Sequence, residues 1–464
     1  MEPVVVLFDP FHPYVAALVE ACHRQWGLRS VCLYTDRGLT LRNAGSQPVV
    51  LTDAVAGHYL VDPARPAQTA RFLASRFDVR GVMPHEEPYV LLAAALAEEL
   101  GFGWGDSRTM ALFRDKDALK SVVRAAGSPR INASTLVRDA DDVLAATRTG
   151  AYQRFVLKPN SGMGNHGIGF FEAGCARASI EEYFARVGTT RVVMEQFLAG
   201  IEYCVNGQVD DEGAVTVLSV LRTRHISVNG RLQLAASFEQ VPYRAPEFRI
   251  VADYAAQLLP VTGLVRSPFH MEVMVDEEGP CLIEVAARLA GAGQARLTGT
   301  AHGHAVDAFV LAASGYTGLP PSTRQEPDWA AYDARVHRTI CGVSAVEERI
   351  TRVRGVEEVA AMPEFVEWVF QPRLGQMMHR TQDLVTAPWL VTLAAQDLAT
   401  LDRAEDRVRE MIVCNPPESG AGRIAATIAT AATRTRKHAR ALPELLRVRR
   451  GRTSGRGQGH RIVR

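Results

Sequence analysis

The sequence predicts an α/β protein of several subdomains: a parallel α/β unit first, a central region dominated by sheet, and a mixed α+β segment behind it. Three observations predict this. The first hundred residues alternate short apolar runs with segments of helical period. From Arg154 onward the pattern changes to strands joined by glycine-bearing turns. The chain has 464 residues, 47% apolar and 22% charged, several times what one compact domain needs and in the ordinary balance of a globular enzyme.

In the first unit, strands are expected at Val4 to Phe8, Ser30 to Tyr34 and Gly81 to Met83, with helices at Tyr14 to Trp26 and Tyr89 to Leu100, the rhythm of a parallel sheet. Residues 114–127 carry acids early and glycine at the stop, so a helix with Lys116 in its first turn opens a new unit near 110. Strands follow at Arg154 to Lys158, Gly167 to Phe171, Arg191 to Phe197 and Glu202 to Val209, then at Ala214 to Thr223 and Leu232 to Val241. A helix is expected near Glu247 to Thr262. Phe269 to Val275 and Pro280 to Ala286 should pair across the turn Asp276-Glu277-Glu278-Gly279, which suits a hairpin. After the proline-rich stretch from Leu319 to Pro327, a mixed segment ends in a helix from Leu401 to Met411. The expected divisions are 1–110, 111–200, 201–325, 326–415 and a basic, flexible tail at 416–464.

Composition excludes several classes. No stretch reaches the ~20 uncharged apolar residues of a membrane span, and Met1-Glu2-Pro3 lacks a basic leader, so no membrane partner and a cytoplasmic location are expected. Seven cysteines without a Cys-x-x-Cys pair read as free thiols. The net charge of +1 is uneven: residues 419–464 hold twelve Lys or Arg against Glu444 alone, leaving 40 basic against 50 acidic side chains before them. Such a tail can tether nucleic acid, although a solvated end is the commoner reading.

Three clusters can carry chemistry. Lys158-Pro159-Asn160-Ser161-Gly162-Met163-Gly164-Asn165-His166-Gly167 sets a lysine at a strand end before a glycine-rich loop. Glycines let backbone N–H groups approach phosphate oxygens and the lysine adds a point charge. The segment is neither a Walker loop nor a Rossmann fingerprint, because a strand follows it. Alone, it equally suits an ordinary hairpin turn. In Glu195-Gln196-Phe197-Leu198-Ala199-Gly200-Ile201-Glu202, the two acids can accept bonds from a base and a ribose, though solvated turn acids are the simpler reading of this cluster by itself. The third cluster pairs His270-Met271-Glu272-Val273 with Ile283-Glu284-Val285-Ala286-Ala287-Arg288-Leu289-Ala290-Gly291. Two acids on paired strands, each among apolar neighbours, can converge on a magnesium ion shared with phosphates.

The order and spacing of these clusters resemble the ATP-grasp superfamily from about residue 3 to 413, specifically its L-amino-acid ligase and carboxylate–amine ligase branch. The resemblance implies an ATP-grasp fold with an N-terminal pre-ATP-grasp domain, a small subdomain bearing the loop, a large subdomain bearing the metal site, and a C-terminal mixed subdomain. It implies that Lys116 and Lys158 contact ATP phosphates and that Ser161, Gly162, Gly164 and Gly167 cover them. Glu195, with Gln196, Phe197 and Leu198, would read adenine, and Glu202 would hold the ribose. Glu272 and Glu284 become ligands of Mg2+, or Mn2+, and Arg288 binds the substrate carboxylate and its phosphorylated intermediate. Gly291 and Ala292 border the first substrate's pocket. Ala286 stands where many relatives have Asn, and the Glu-x-Ala-Ala-Arg pattern narrows the branch to amino-acid ligases. His302 and His304 fall, in this family, at the start of a helix, with a structural role.

The activity so implied is an ADP-forming ligase that joins a small-molecule carboxylate to an amine, in an enzyme that can be a homodimer. Two alternatives remain at this level: a biotin-carboxylase-like or formate-activating enzyme, and a non-catalytic nucleotide-binding protein that tethers nucleic acid through its tail.

Overall fold

A computed structural model describes residues 1–12, 14–43, 54–104, 106–162 and 167–416. The loop residues Met163 to His166, Gly164 among them, and the basic tail beyond Pro416 lie outside the described residues.

The N-terminal unit is a parallel sheet in the order β3-β2-β1-β4, from β1 (Glu2–Phe8), β2 (Arg29–Tyr34), β3 (Val55–Leu60) and β4 (Phe77–Val82). Val4 to Leu7 are completely buried, as expected of an unbroken apolar run covered on both faces. The helices Tyr14–Trp26 and Val90–Glu99 lie where the helical period predicted them. The carboxyl ends of β1 and β4 deliver Asp9 and His85 to Glu87, and that edge is where parallel sheets gather ligand-binding groups.

A smaller antiparallel sheet, β5-β8-β6-β7, follows: β5 (Ser134–Val137), β6 (Arg154–Pro159), β7 (Gly169–Glu172) and β8 (Val192–Gln196). It has its own core around Phe155, Leu157, Ile180, Tyr183 and Met194, packed beneath the helices Ala140–Thr147 and Arg177–Val187. Gly200 hands the chain onward. A Cβ there would lie 2.2 Å from the Val275 carbonyl oxygen, so the close passage admits only glycine.

The large sheet contains β9 (Ile201–Val209), β10 (Val215–Val228), β11 (Arg231–Gln240), β12 (Ser267–Asp276), β13 (Gly279–Ala286) and β14 (Val336–Cys341). Its order is β13-β12-β9-β10-β11-β14, continued by Leu390–Ala395 and then Phe365–Phe370. The hairpin predicted across residues 276–279 is β12–β13. The division expected at residue 325 does not interrupt this sheet: strands from 336 onward extend it, because β14 pairs directly with β11.

On the back of the sheet, Arg338 is 1% exposed and reaches Glu239, Asp402 at 2.9 Å and Glu405 at 2.7 Å, tying the helix Leu398–Met411 to β11 and β14. Among the described residues no helix is long and apolar enough to cross a membrane.

Candidate active site

Asp115 caps the helix Lys116–Ala125, its carboxylate accepting from Ala118 N at 2.8 Å. That cap fixes Lys116 in the first turn. Its ammonium donates to the Gly162 carbonyl at 3.3 Å and stands 3.4 Å from Glu284 Oε1. Lys120, four residues on and so on the same helical face, is 1% exposed. It donates to Glu195 Oε2 at 2.6 Å and to Asn132 Oδ1 at 2.8 Å.

On the small sheet Val156 lies opposite Glu195, which sets Lys158 diagonally across from the acid on the same face. Lys158 Nζ is 2.9 Å from Glu195 Oε1 and donates to the Ile283 carbonyl at 3.2 Å. Burial pushes the Glu195 carboxyl up, but the two ammoniums outweigh it and hold it down at about 2. Burial draws Lys120 down to about 8, opposed by Glu195, the one acid it shares with Lys158.

Both Glu195 oxygens face ammonium groups, Lys120 on one and Lys158 on the other, so the acid anchors the two lysines. The N–H groups of Gln196 and Phe197 are likewise committed, to the carbonyls of Ala133 and Arg154, both at 2.9 Å. Phe197 carries the Arg154 guanidinium 4.1 Å from its ring centroid, and Leu198 is buried behind it. Glu202 faces His225, with Oε2 3.4 Å from Nε2.

Glu195→Gln leaves two buried ammoniums against a neutral amide, and a loss of about 3–5 kcal/mol in urea unfolding is expected. The sign with pH follows from the depressed carboxyl. The stabilisation is complete above the unfolded value near 4.5 and fades as pH falls toward about 2, so the gap to wild type should close on acidification. A gap that stays constant across that range would contradict the assignment.

Glu272 on β12 and Glu284 on β13 are directly opposite in register. Cross-strand like charges repel, yet these carboxylates are each only about a third exposed, at 30% and 29%. Their nearest basic neighbours are His270 Nε2, 3.6 Å from Glu272, and the Lys116 ammonium, 3.4 Å from Glu284. Two hard carboxylates opposite one another on paired strands, each partly open to solvent, fit a magnesium-type ion.

Arg288 follows β13 and turns to the N-terminal unit. Its Nε donates to Glu87 Oε2 at 2.5 Å and its Nη1 to the Leu289 carbonyl at 2.8 Å. Arg114 reaches the other Glu87 oxygen at 2.5 Å and also donates to Ser161 Oγ at 3.2 Å. Glu87 is 3% exposed; burial raises its carboxyl, but Arg288 and Arg114 prevail and hold it below the usual range. Ser161, Arg114, Glu87 and Arg288 thus form one hydrogen-bonded chain from the loop to the segment after β13. Beside it, burial pushes the Glu86 carboxyl up.

The loop ends are pinned, Gly162 by Lys116 and Gly167 by Tyr183, whose hydroxyl donates to the Gly167 carbonyl at 2.8 Å. Gly291 is open on its Cβ side, and Ala292 adopts φ +52°, a left-handed conformation that disfavours bulky residues. His302 does not open a helix. It closes the helix Gln294–Ala301, its ring nitrogens facing the carbonyls of Leu218 at 2.8 Å and Asp328 at 3.0 Å. His304 lies just past that helix end, at φ +65°.

Sequence reasoning missed Lys120, Arg114, Glu86 and Glu87. Lys120 was signalled by its four-residue spacing from Lys116. The acids were signalled by their place at the end of a parallel strand.

Lysines and a glycine loop on a small antiparallel sheet, facing paired acids on a larger one, define the ATP-grasp class. Residues 153–296 match the sequence profile of the family described as ATP-grasp domain, and the chain carries such a domain. Dapdiamide A synthase of Enterobacter agglomerans is 21% identical over 375 residues, covering 74% of this chain and 85% of that protein. An uncharacterized protein, y4rH, of Sinorhizobium fredii is 22% identical over 353 residues, 73% of this chain and 69% of that one. Among solved structures, the L-amino acid ligase from Bacillus licheniformis superposes with a TM-score of 0.71 at 18% identity, covering 90% of this chain and 99% of that one. Phosphoribosylglycinamide synthetase from Anaerococcus prevotii superposes at 0.63 with 11% identity, covering 90% and 100%. These two superpositions establish the shared fold.

Proposed function

We propose that this protein is an ATP-dependent, ADP-forming ligase that activates a small carboxylate, an amino acid, as an acyl phosphate and joins it to an amine in a peptide or amide bond. The observation that carries the reading is the Glu272–Glu284 pair, with the Lys116 ammonium 3.4 Å from Glu284 and both Lys158 and Arg288 within electrostatic reach of the two acids. The similarity to dapdiamide A synthase and the fold shared with an L-amino acid ligase support it.

In this reading segments 111–200 and 201–325 are two lobes closing on ATP. Lys116, Lys158 and the loop from Ser161 and Gly162 through Gly164 to Gly167 hold the phosphates. The Gln196 to Leu198 segment lines the adenine, and Glu202, steadied by His225, faces the ribose. Glu272 and Glu284 would hold Mg2+ or Mn2+, which neutralises charge on the phosphate oxygens. Arg288, aimed by Glu87, orients the substrate carboxylate for attack on the γ-phosphate and stabilises the acyl phosphate until the amine displaces phosphate. Phosphoryl transfer needs alignment and charge neutralisation more than a covalent nucleophile, so this set of residues suffices. Gly291 and the small Ala292 leave room for a bulky substrate.

The test is a matrix of amino acids and amines assayed for phosphate release, with product masses read directly and bicarbonate as a control acid. ADP and phosphate, formed only when both partners are present, are expected. AMP and pyrophosphate, or turnover with bicarbonate alone, would overturn the reading.

A further inference from the structure

The face of the large sheet that carries Glu272 holds two donors that the ligase reading leaves unused. Cys204 on β9 lies directly across from Glu272 on β12, and His270 precedes Glu272 by two residues, so all three side chains project from one face. One ligand atom from each lies within 4.8 Å of the others. Cys204 and His270 are buried, while Glu272 opens the group to solvent.

The hydrogen bonds around His270 fix which nitrogen is available. The Gln294 carbonyl can only accept, so Thr298 Oγ1, at 2.9 Å, spends its one proton there. Ser219 Oγ must therefore donate to Thr298 Oγ1, at 2.8 Å, and is left to accept from Asn206. The Asn206 group facing Ser219 is accordingly its NH2, which also donates to Gln294 Oε1 at 3.1 Å. Its oxygen then faces His270 Nδ1 at 2.7 Å, so Nδ1 carries the proton and donates. Nε2 is turned instead to Glu272 Oε1, 3.6 Å away. That separation is short enough for Nε2 and the carboxylate oxygen to ligate one ion together. A histidine whose other nitrogen donates to an amide oxygen is the form found at metal centres. On the sulfur side, the Gln294 amide nitrogen points at Cys204 Sγ from 4.0 Å, and Thr223 Oγ1 lies 3.5 Å away.

We propose that Cys204 Sγ, His270 Nε2 and the Glu272 carboxylate form a site for a thiophilic divalent cation of the Zn2+ or Co2+ kind, separate from the Glu272–Glu284 pair but sharing Glu272. Sulfur, nitrogen and one carboxylate select such ions over Mg2+, which prefers oxygen, and three protein ligands leave a fourth position open. The Cys204 thiol proton leaves to solvent as the sulfur–metal bond forms. Binding does not depend on the ligase reading; one consequence rests on it. A cation held here withdraws Glu272 from the acid pair, so Zn2+ should inhibit turnover.

The test uses full-length protein titrated with Co2+ in the absence of nucleotide. Visible bands of four-coordinate cobalt with a sulfur-to-cobalt charge-transfer band are expected, reversed by Zn2+. Cys204→Ser should abolish the charge-transfer band, and His270→Gln should weaken Co2+ binding about 10–100-fold. Glu284→Gln, which disables the proposed phosphoryl-transfer site, should keep the band, so the two assignments fail independently. Absence of the band in the wild type, or its survival in Cys204→Ser, overturns the proposal. X-ray absorption of the wild type with one equivalent of Zn2+ gives a check that needs no variant: one sulfur at about 2.3 Å supports the site, and a shell of oxygen and nitrogen alone overturns it.

Discussion

Glu284→Gln is expected to lower phosphate release by about 10^3-fold while leaving the folded protein within about 1 kcal/mol of wild type. The two effects separate because Glu284 faces a like charge. Removing it relieves repulsion with Glu272 across the hairpin, which offsets the loss of the 3.4 Å contact with Lys116 and of the longer-range attraction to Lys158 and Arg288. Size and hydrogen-bonding capacity are kept, whereas the charge required of a metal ligand is lost. Thermal unfolding without nucleotide should be unchanged or slightly higher, and the stabilisation that ATP with Mg2+ confers on wild type should disappear. Turnover within tenfold of wild type would remove Glu284 from the metal pair.

Arg288→Lys should fail for a different reason. The positive charge survives, but an ammonium cannot reproduce the fork that donates to Glu87 through Nε and to the Leu289 carbonyl through Nη1. Glu87 would then rest on Arg114 alone. A fall in kcat of about 10^2- to 10^3-fold is expected, with a stability loss of about 3 kcal/mol from the weakened buried pair. Glu87→Gln serves as the positioning control. It leaves Arg288 in place but unaimed, so KM for the carboxylate should rise and kcat should fall less than in Arg288→Lys. Equal kcat values for the two variants would show that Glu87 does more than aim the arginine.

The elements that the sequence placed well are those defined by local patterns. The buried run of β1, the helix with Lys116 in its first turn and the β12–β13 hairpin each follow from neighbouring residues, and the hairpin register brings Glu272 opposite Glu284. Where the candidate site depends on such elements the structure brings its residues close: Lys116 stands beside Glu284, Glu272 lies opposite it, and Lys158 reaches the neighbouring Ile283 carbonyl. The partners of Glu195 were not legible, because they are distant in sequence. Lys120 precedes it by 75 residues, and nothing in a strand ending in Glu-Gln indicates that two ammoniums will meet there. The continuation of the large sheet past residue 325 was hidden similarly, since a proline-rich stretch looks like a linker even when the next strand rejoins the same sheet.

By itself, then, the sequence determined the kinds of secondary structure and the hairpin that pairs Glu272 with Glu284, because these rest on side-chain period and turn preference over a few residues, while the class of chemistry came through the family resemblance of its motifs taken together. Only the tertiary structure decided what each charge faces. Glu87 meets Arg288 across 201 residues, Asn206 sets the proton on His270 across 64, and Cys204 comes to lie beside Glu272 through strand pairing. A buried charge takes its role from whatever partner removes its desolvation cost, and that partner is chosen by the packing of whole elements.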